Sequence, residues 1–246
     1  MQQAGMQAKD DGVKILCLAP TYGRRASLLN NSIACFAAQT HRDKTLLIYD
    51  DLGTLKNAHC DHLDVRILSS PKRSRSVGEK YNEMIRYANE SGIQYDAVAV
   101  WDDDDVYLPM HLETHCHCLQ NAKWSKPSRI VSAYFDPPKE ETATGRFHGS
   151  IAVTRDAIEQ VPWIDTTRAT FDQEYLSALA NHSTPADPCD VAPPQYVYRW
   201  QTSQSGHCSG LMGSANWYAE YKPDSREPID RLWPEFDADT RPFFVA

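Results

Sequence analysis

Short continuous apolar runs alternate along this chain with stretches of helical periodicity. Val13 to Pro20 (VKILCLAP) predicts a buried strand closed by a proline. Ala26 to Thr40 carries apolar residues at Leu29, Ile33, Phe36 and Ala37, the spacing of one helix face. Thr45 to Asp51 (TLLIYDD) is a second apolar run ending in two acids, and Leu63 to Leu68 (LDVRIL) predicts a third, more alternating strand. A basic, turn-rich stretch, SSPKRSRSVG, precedes a helix over Glu79 to Ala88, with Tyr81, Met84, Ile85 and Ala88 on one side. Asp96 to Trp101 (DAVAVW) is a fourth strand, and it runs directly into Asp102, Asp103, Asp104 and Asp105. Apolar strands separated by helices predict an α/β fold, a Rossmann-like, mostly parallel central sheet flanked by helices on both faces.

The second half is less regular. A helix is expected from about Met110 to Ala122, then a strand over Arg129 to Phe135 and a polar loop, DPPKEETATGR. Phe147 to Val153 reads as a strand entering a short helix, Phe171 to Leu179 as a helix, and Gln195 to Trp200 as an aromatic strand lining a cleft. The stretch after about residue 210 reads as an irregular, packed tail.

Composition narrows the class. With 41% hydrophobic and 24% charged residues the chain is globular, not disordered. No run approaches the roughly 20 apolar residues of a membrane helix. The polar, acidic start lacks a signal-peptide pattern and is expected to be a flexible leader over residues 1–12. Seven scattered cysteines predict reduced thiols in a cytoplasmic protein, not a disulfide framework. The 25 basic and 33 acidic residues give a formal charge of -8, which argues against a generic phosphate-backbone binder.

Part of that acid surplus is concentrated. Four consecutive aspartates repel one another, and a hard divalent cation such as Mg2+ or Mn2+ would relieve the cost. In open parallel sheets ligands bind beyond the carboxyl ends of strands, where Asp50-Asp51 and Asp102 to Asp105 both fall. The bland alternatives are a helix cap and a solvated turn. A second candidate, HLETHCHC, puts His111, His115 and Cys118 on one helix face, but one helix makes a poor zinc tetrahedron. No Walker A loop is present, and no GxGxxG follows the first strand.

The ordered set PTYGRR (Pro20 to Arg25), IYDD (to Asp51), VGEKYNEMI, WDDDDVYLP, FHGSIAVTR, FDQEYLSAL and YRWQTSQSGHCSG resembles glycosyltransferases of the GT-A fold, most like family 2. The resemblance runs over about residues 13–210 and implies one catalytic domain: a nucleotide-sugar-binding half, 13–105, and an acceptor-side half, 106–210, with 211–246 packed on it. It implies transfer from a nucleotide-diphosphate sugar, a UDP-sugar, to an acceptor hydroxyl, with inversion. Pro20, Thr21, Tyr22, Arg24, Asp50, Asp51, Lys80, Asp102 and Asp103 would line the donor site. Asp102, Asp104 and His207 would hold Mn2+ or Mg2+, and Asp172, with Glu174 in reserve, would be the base. The acceptor stays open between a glycan, a small molecule, a protein and a modified DNA base. Two other functions stay open with it: nucleotidyl transfer onto a sugar phosphate, and an inactive nucleotide-sugar-binding module.

Overall fold

The computed structural model describes residues 12–21, 26–56, 64–132, 138–168 and 170–198. Its elements run β1 (Ile15–Thr21), α1 (Ala26–Ala37), β2 (Lys44–Asp50), β3 (Val65–Ser69), α2 (Val77–Glu90), β4 (Ala97–Val100), β5 (Val106–Tyr107) and α3 (His111–Leu119). They continue β6 (Trp124–Ser125), β7 (Arg129–Ser132), β8 (Lys139–Thr142), β9 (Ala152–Thr154), α4 (Arg155–Gln160), α5 (Phe171–His182) and β10 (Tyr196–Tyr198).

Six strands form the main sheet in the order β3-β2-β1-β4-β9-β6. The first three pairings are parallel, and β9 and β6 extend the sheet antiparallel. β1, β2 and β4 have apolar centres because both faces are covered: Leu16, Leu18, Leu47 and Val98 pack on the α2 side, Cys17, Leu46, Ile48 and Ala99 on the α1 side. α1 contributes Leu29, Ile33 and Phe36, and α2 contributes Tyr81, Met84 and Ala88. α2 is capped by Ser76, whose side chain accepts from the Glu79 N–H, so the helix begins at Val77, two residues before the expected start.

A second sheet, β5-β10-β7-β8, sits over the end of β4. It corrects the expectation of a loop after residue 135. Lys139–Thr142 (KEET) is a strand, paired antiparallel with β7 from Ser132↔Lys139 to Arg129↔Thr142. Its charges hid it, because an edge strand buries little and has no apolar alternation to show. The expected strand at Phe147–Val153 is also corrected. A single 3-10 turn occupies His148–Ser150, and only Ala152–Thr154 pairs, antiparallel to β4. All five cysteines described, Cys17, Cys35, Cys116, Cys118 and Cys189, are free thiols. Among the described residues no helix is long and apolar enough to cross a membrane.

Candidate active site

The parallel strand order dictates where the chemistry gathers. From β1 the chain moves outward to β2 and β3, then crosses back to place β4 on the other side of β1. The tip of β1 is therefore a switch point, with the ends of β2 and β4 on either side. Thr21 ends β1 in register with Asp50 of β2, while the Trp101 N–H donates to the Leu18 carbonyl at 2.9 Å as the chain leaves β4. The next four residues form the acid turn. Asp103, Asp104 and Asp105 are only 2%, 3% and 1% exposed, and Asp102 is half-buried.

Buried hydroxyls from four elements converge on this turn. The Thr21 Oγ1 at the end of β1 donates to Asp103 Oδ2 at 2.6 Å. From α2, Tyr81 Oη donates to Asp102 Oδ1 at 3.3 Å. From β5, Tyr107 Oη accepts from the Asp102 N–H at 2.7 Å and donates to the Gly149 carbonyl at 3.1 Å. From β10, Tyr196 Oη donates to Asp105 Oδ2. Burial first, and the adjacent aspartates second, push all three phenols well above their usual range. They stay protonated and remain donors at any working pH.

Gly149 closes one side. A Cβ there would lie 2.4 Å from Asp102 Oδ2 and 2.8 Å from Tyr196 Oη, so only glycine admits both groups. The residue two before it, Phe147, is left-handed, with φ 61°. Its ring is held by an edge contact to Tyr198 at 4.8 Å and by the Arg146 guanidinium at 4.6 Å.

At the end of β2 the two acids have different fates. Asp50 accepts from Leu52 N, Thr54 Oγ1, Leu55 N and Ser69 Oγ at 2.7–3.2 Å. Its acceptor capacity is filled from within the chain, so it fastens the turn after β2. Asp51, 1% exposed, accepts from Ser74 N at 3.1 Å and faces Lys80 Nζ at 3.1 Å. Lys80 also reaches the Thr21 carbonyl at 3.4 Å, so it links the tips of β1 and β2. The Ser74 contact seats the basic stretch on the tip of β2, beside the acids.

α5 approaches from the other side. Its Phe171 and Tyr175 rings lie 5.7 Å from the ring of His148, whose neighbour Gly149 touches Asp102. Burial lowers the His148 pKa to about 3, and its Nε2 accepts from Trp163 Nε1 at 2.9 Å, so the imidazole is neutral. Asp172, next to Phe171, is half-buried. Glu174 instead accepts from Thr170 Oγ1 at 2.8 Å and pairs with the exposed Arg168 at 3.5 Å. The two acids thus serve different surroundings, as their spacing implies.

Carboxylate oxygens at a strand end suit a hard divalent cation, which commonly takes one or two carboxylates and leaves its other positions to water and phosphate. Asp102 and Asp104 offer that donor chemistry. Among the described residues no three His, Cys, Asp or Glu side chains gather into a metal cage, in HLETHCHC or elsewhere. His111 and His115 are buried core residues. Burial holds His115 at about 3, and its Nδ1 is 2.6 Å from Ser125 Oγ. Tyr22, Arg24 and His207 lie outside the described residues. Sequence reasoning missed Tyr107, Tyr196, Trp163 and the contact role of Gly149. The one local signal was a tyrosine two residues past the acid run.

No family model and no curated protein matches the sequence. Solved structures do match in fold. A mannosyltransferase from Pyrobaculum calidifontis, PcManGT, in complex with GDP-Man and Mn2+, is 15% identical with a TM-score of 0.56, over 79% of this chain and 59% of that one. The 1–349 fragment of S. aureus TarS in complex with UDP-GlcNAc is 10% identical with a TM-score of 0.57, over 82% and 61%. The same fragment with UDP is 12% identical with a TM-score of 0.59, over 76% and 61%. The fold is therefore the GT-A type of these glycosyltransferases, and the chain spans about three-fifths of their length.

Proposed function

We propose that this protein transfers a sugar from a nucleotide-diphosphate sugar, a uridine diphosphate sugar first among them, to an acceptor hydroxyl. The observation that carries the proposal is the acid turn: Asp102 to Asp105 at the switch point, held by hydroxyls from β1, α2, β5 and β10. A fold shared with proteins solved with GDP-Man and Mn2+ and with UDP-GlcNAc supports it. Residues 13–210 would form the catalytic domain, of family 2 type.

Each group then has a task. Asp51 receives the base or ribose, with Lys80 compensating its charge; Asp50 keeps the turn. Asp102 and Asp104 would hold Mn2+ or Mg2+, joined by His207. When bound, the ion supplies Lewis-acid stabilisation of the departing diphosphate. Thr21, Tyr81, Tyr107 and Tyr196 fix the carboxylates before the donor arrives, which lowers the reorganisation needed during reaction. Asp172 takes the proton from the acceptor hydroxyl, with Glu174 in reserve. Attack on the anomeric carbon opposite the leaving group inverts the centre. The free thiols suit a reducing compartment such as the cytoplasm.

The test is binding followed by turnover. Mn2+ with UDP should raise the melting temperature more than either alone. Asp104→Ala should remove that synergy and Mn2+-dependent release of UDP from a sugar donor, while far-ultraviolet circular dichroism stays unchanged. No shift with UDP or GDP, with or without metal, rejects the proposal. Binding without turnover on any donor and acceptor points to the inactive binding module instead.

A further inference from the structure

We propose that Trp163 is a positioning residue that sets the separation between the acid turn and the first turn of α5. This rests on the glycosyl-transfer function above. Trp163 lies in the extended stretch between α4 and α5 and is 2% exposed. Its backbone is clamped to α2. The Trp163 carbonyl accepts from Asn82 Nδ2 at 2.8 Å, and Asp165 accepts from Ser76 Oγ at 2.7 Å and Arg75 Nη2 at 2.6 Å. The α2 residue facing this stretch is Gly78, where a Cβ would lie 2.0 Å from the Ile164 carbonyl oxygen. The segment can approach α2 this closely only because no side chain intervenes.

With the backbone fixed, the indole is a plate between two other rings. Tyr81 stacks on it at 4.9 Å and 26°, and Tyr175 at 4.9 Å and 21°. One outer ring, Tyr81, ends in the hydroxyl that holds Asp102 Oδ1. The other, Tyr175, belongs to α5 three residues after Asp172, one turn along the neighbouring face. The indole N–H donates to His148 Nε2, which fixes the plate in its own plane. His148 in turn meets Phe171, the residue before Asp172. Routes of packed rings thus run from Asp102 to the amino-terminal half of α5: Trp163 carries the one through Tyr175 and one of those through His148, while a further contact passes from Tyr81 directly to His148 at 5.4 Å.

This matters because single displacement depends on distance. The leaving diphosphate is held at one end of the stack and the proton acceptor at the other. A misplacement of about 1 Å costs roughly 100-fold in rate. Stacked rings with few rotatable bonds keep that distance better than flexible aliphatic side chains would.

Trp163→Phe thins the plate and deletes its N–H, whereas Tyr81→Phe keeps the stack and deletes only the hydroxyl on Asp102. Calorimetry with Mn2+ and UDP, and kcat–pH profiles for UDP release from UDP-GlcNAc or GDP release from GDP-mannose, separate the roles. For Trp163→Phe the expected result is unchanged stoichiometry, affinity within about twofold, and kcat reduced at least about tenfold. The acid limb of its profile should also move by about half a pH unit, as the base changes surroundings. An inactive fraction lowers kcat but cannot move that limb. For Tyr81→Phe the expected result is about fivefold weaker Mn2+ binding with the limb unmoved. If Trp163→Phe loses stoichiometric binding, Trp163→Tyr, which keeps a polar group on the plate, carries the same expectation. Wild-type kcat and pH limb in these Trp163 variants overturn the positioning role. A wild-type protein that binds neither nucleotide rejects the glycosyl-transfer function itself.

Discussion

Replacing Lys80 by methionine removes the cation facing Asp51 while keeping most of the side-chain stem. The side chains are 13% and 1% exposed, so little solvent screens the pair. In the variant Asp51 retains the Ser74 N–H as a backbone donor, and its carboxylate stays buried beside the β1 tip. Breaking a buried pair from one side costs about 3–5 kcal/mol. Lys80→Met should therefore lose about 3–5 kcal/mol at pH 7, a fall in Tm of roughly 6–20 °C for a domain of this size. Adding Asp51→Asn should restore most of the stability, because the neutral amide needs no cation. Chemical unfolding of wild type, both singles and the double at pH 7 gives the coupling energy. Additivity within about 0.5 kcal/mol would refute the reasoning.

Other perturbations test the remaining contacts. Gly149→Ala should push Asp102 and Tyr196 apart, weaken Mn2+–UDP binding at least about tenfold and cost about 1–3 kcal/mol of stability; an alanine variant with wild-type affinity by calorimetry would remove Gly149 from the site. His148 and His115 titrate at about 3 against a usual 6.5, so the unfolded chain binds more protons between these values. Stability should then be full above pH 6.5 and fall below it by about 1.4 kcal/mol per unit for each histidine, measured by urea unfolding. A flat profile from pH 7 to 5 would contradict the neutral, buried assignment.

What the sequence made legible follows from burial. β1, β2 and β4 are covered on both faces, so each reads as a short apolar run, and the acids closing β2 and β4 stand out. β5 and β6 have two residues each, too short for any period to register. Lys80 looks like an ordinary helix lysine, because its burial comes from Asp51 and Thr21, far away in sequence. Tyr81 and Tyr196 on the acid turn were invisible for the same reason. Tyr196 meets Asp105 across 91 positions, and no local pattern encodes a partner that distant.

The left-handed Phe147 has a consequence for how the site comes into being. A phenylalanine there costs about 1–2 kcal/mol in backbone strain, and the Arg146 guanidinium over its ring is a partner from next door in sequence. The ring that holds it is Tyr198, about fifty positions later, on the strand that also delivers Tyr196 to the acid turn. The strands nearest the amino terminus can pair early, but the turn carrying Gly149 has no reason to adopt its shape until β10 has threaded between β5 and β7. Assembly of the acid-turn geometry is thus a late, non-local event in folding, and a nascent chain would acquire its sheet well before this turn.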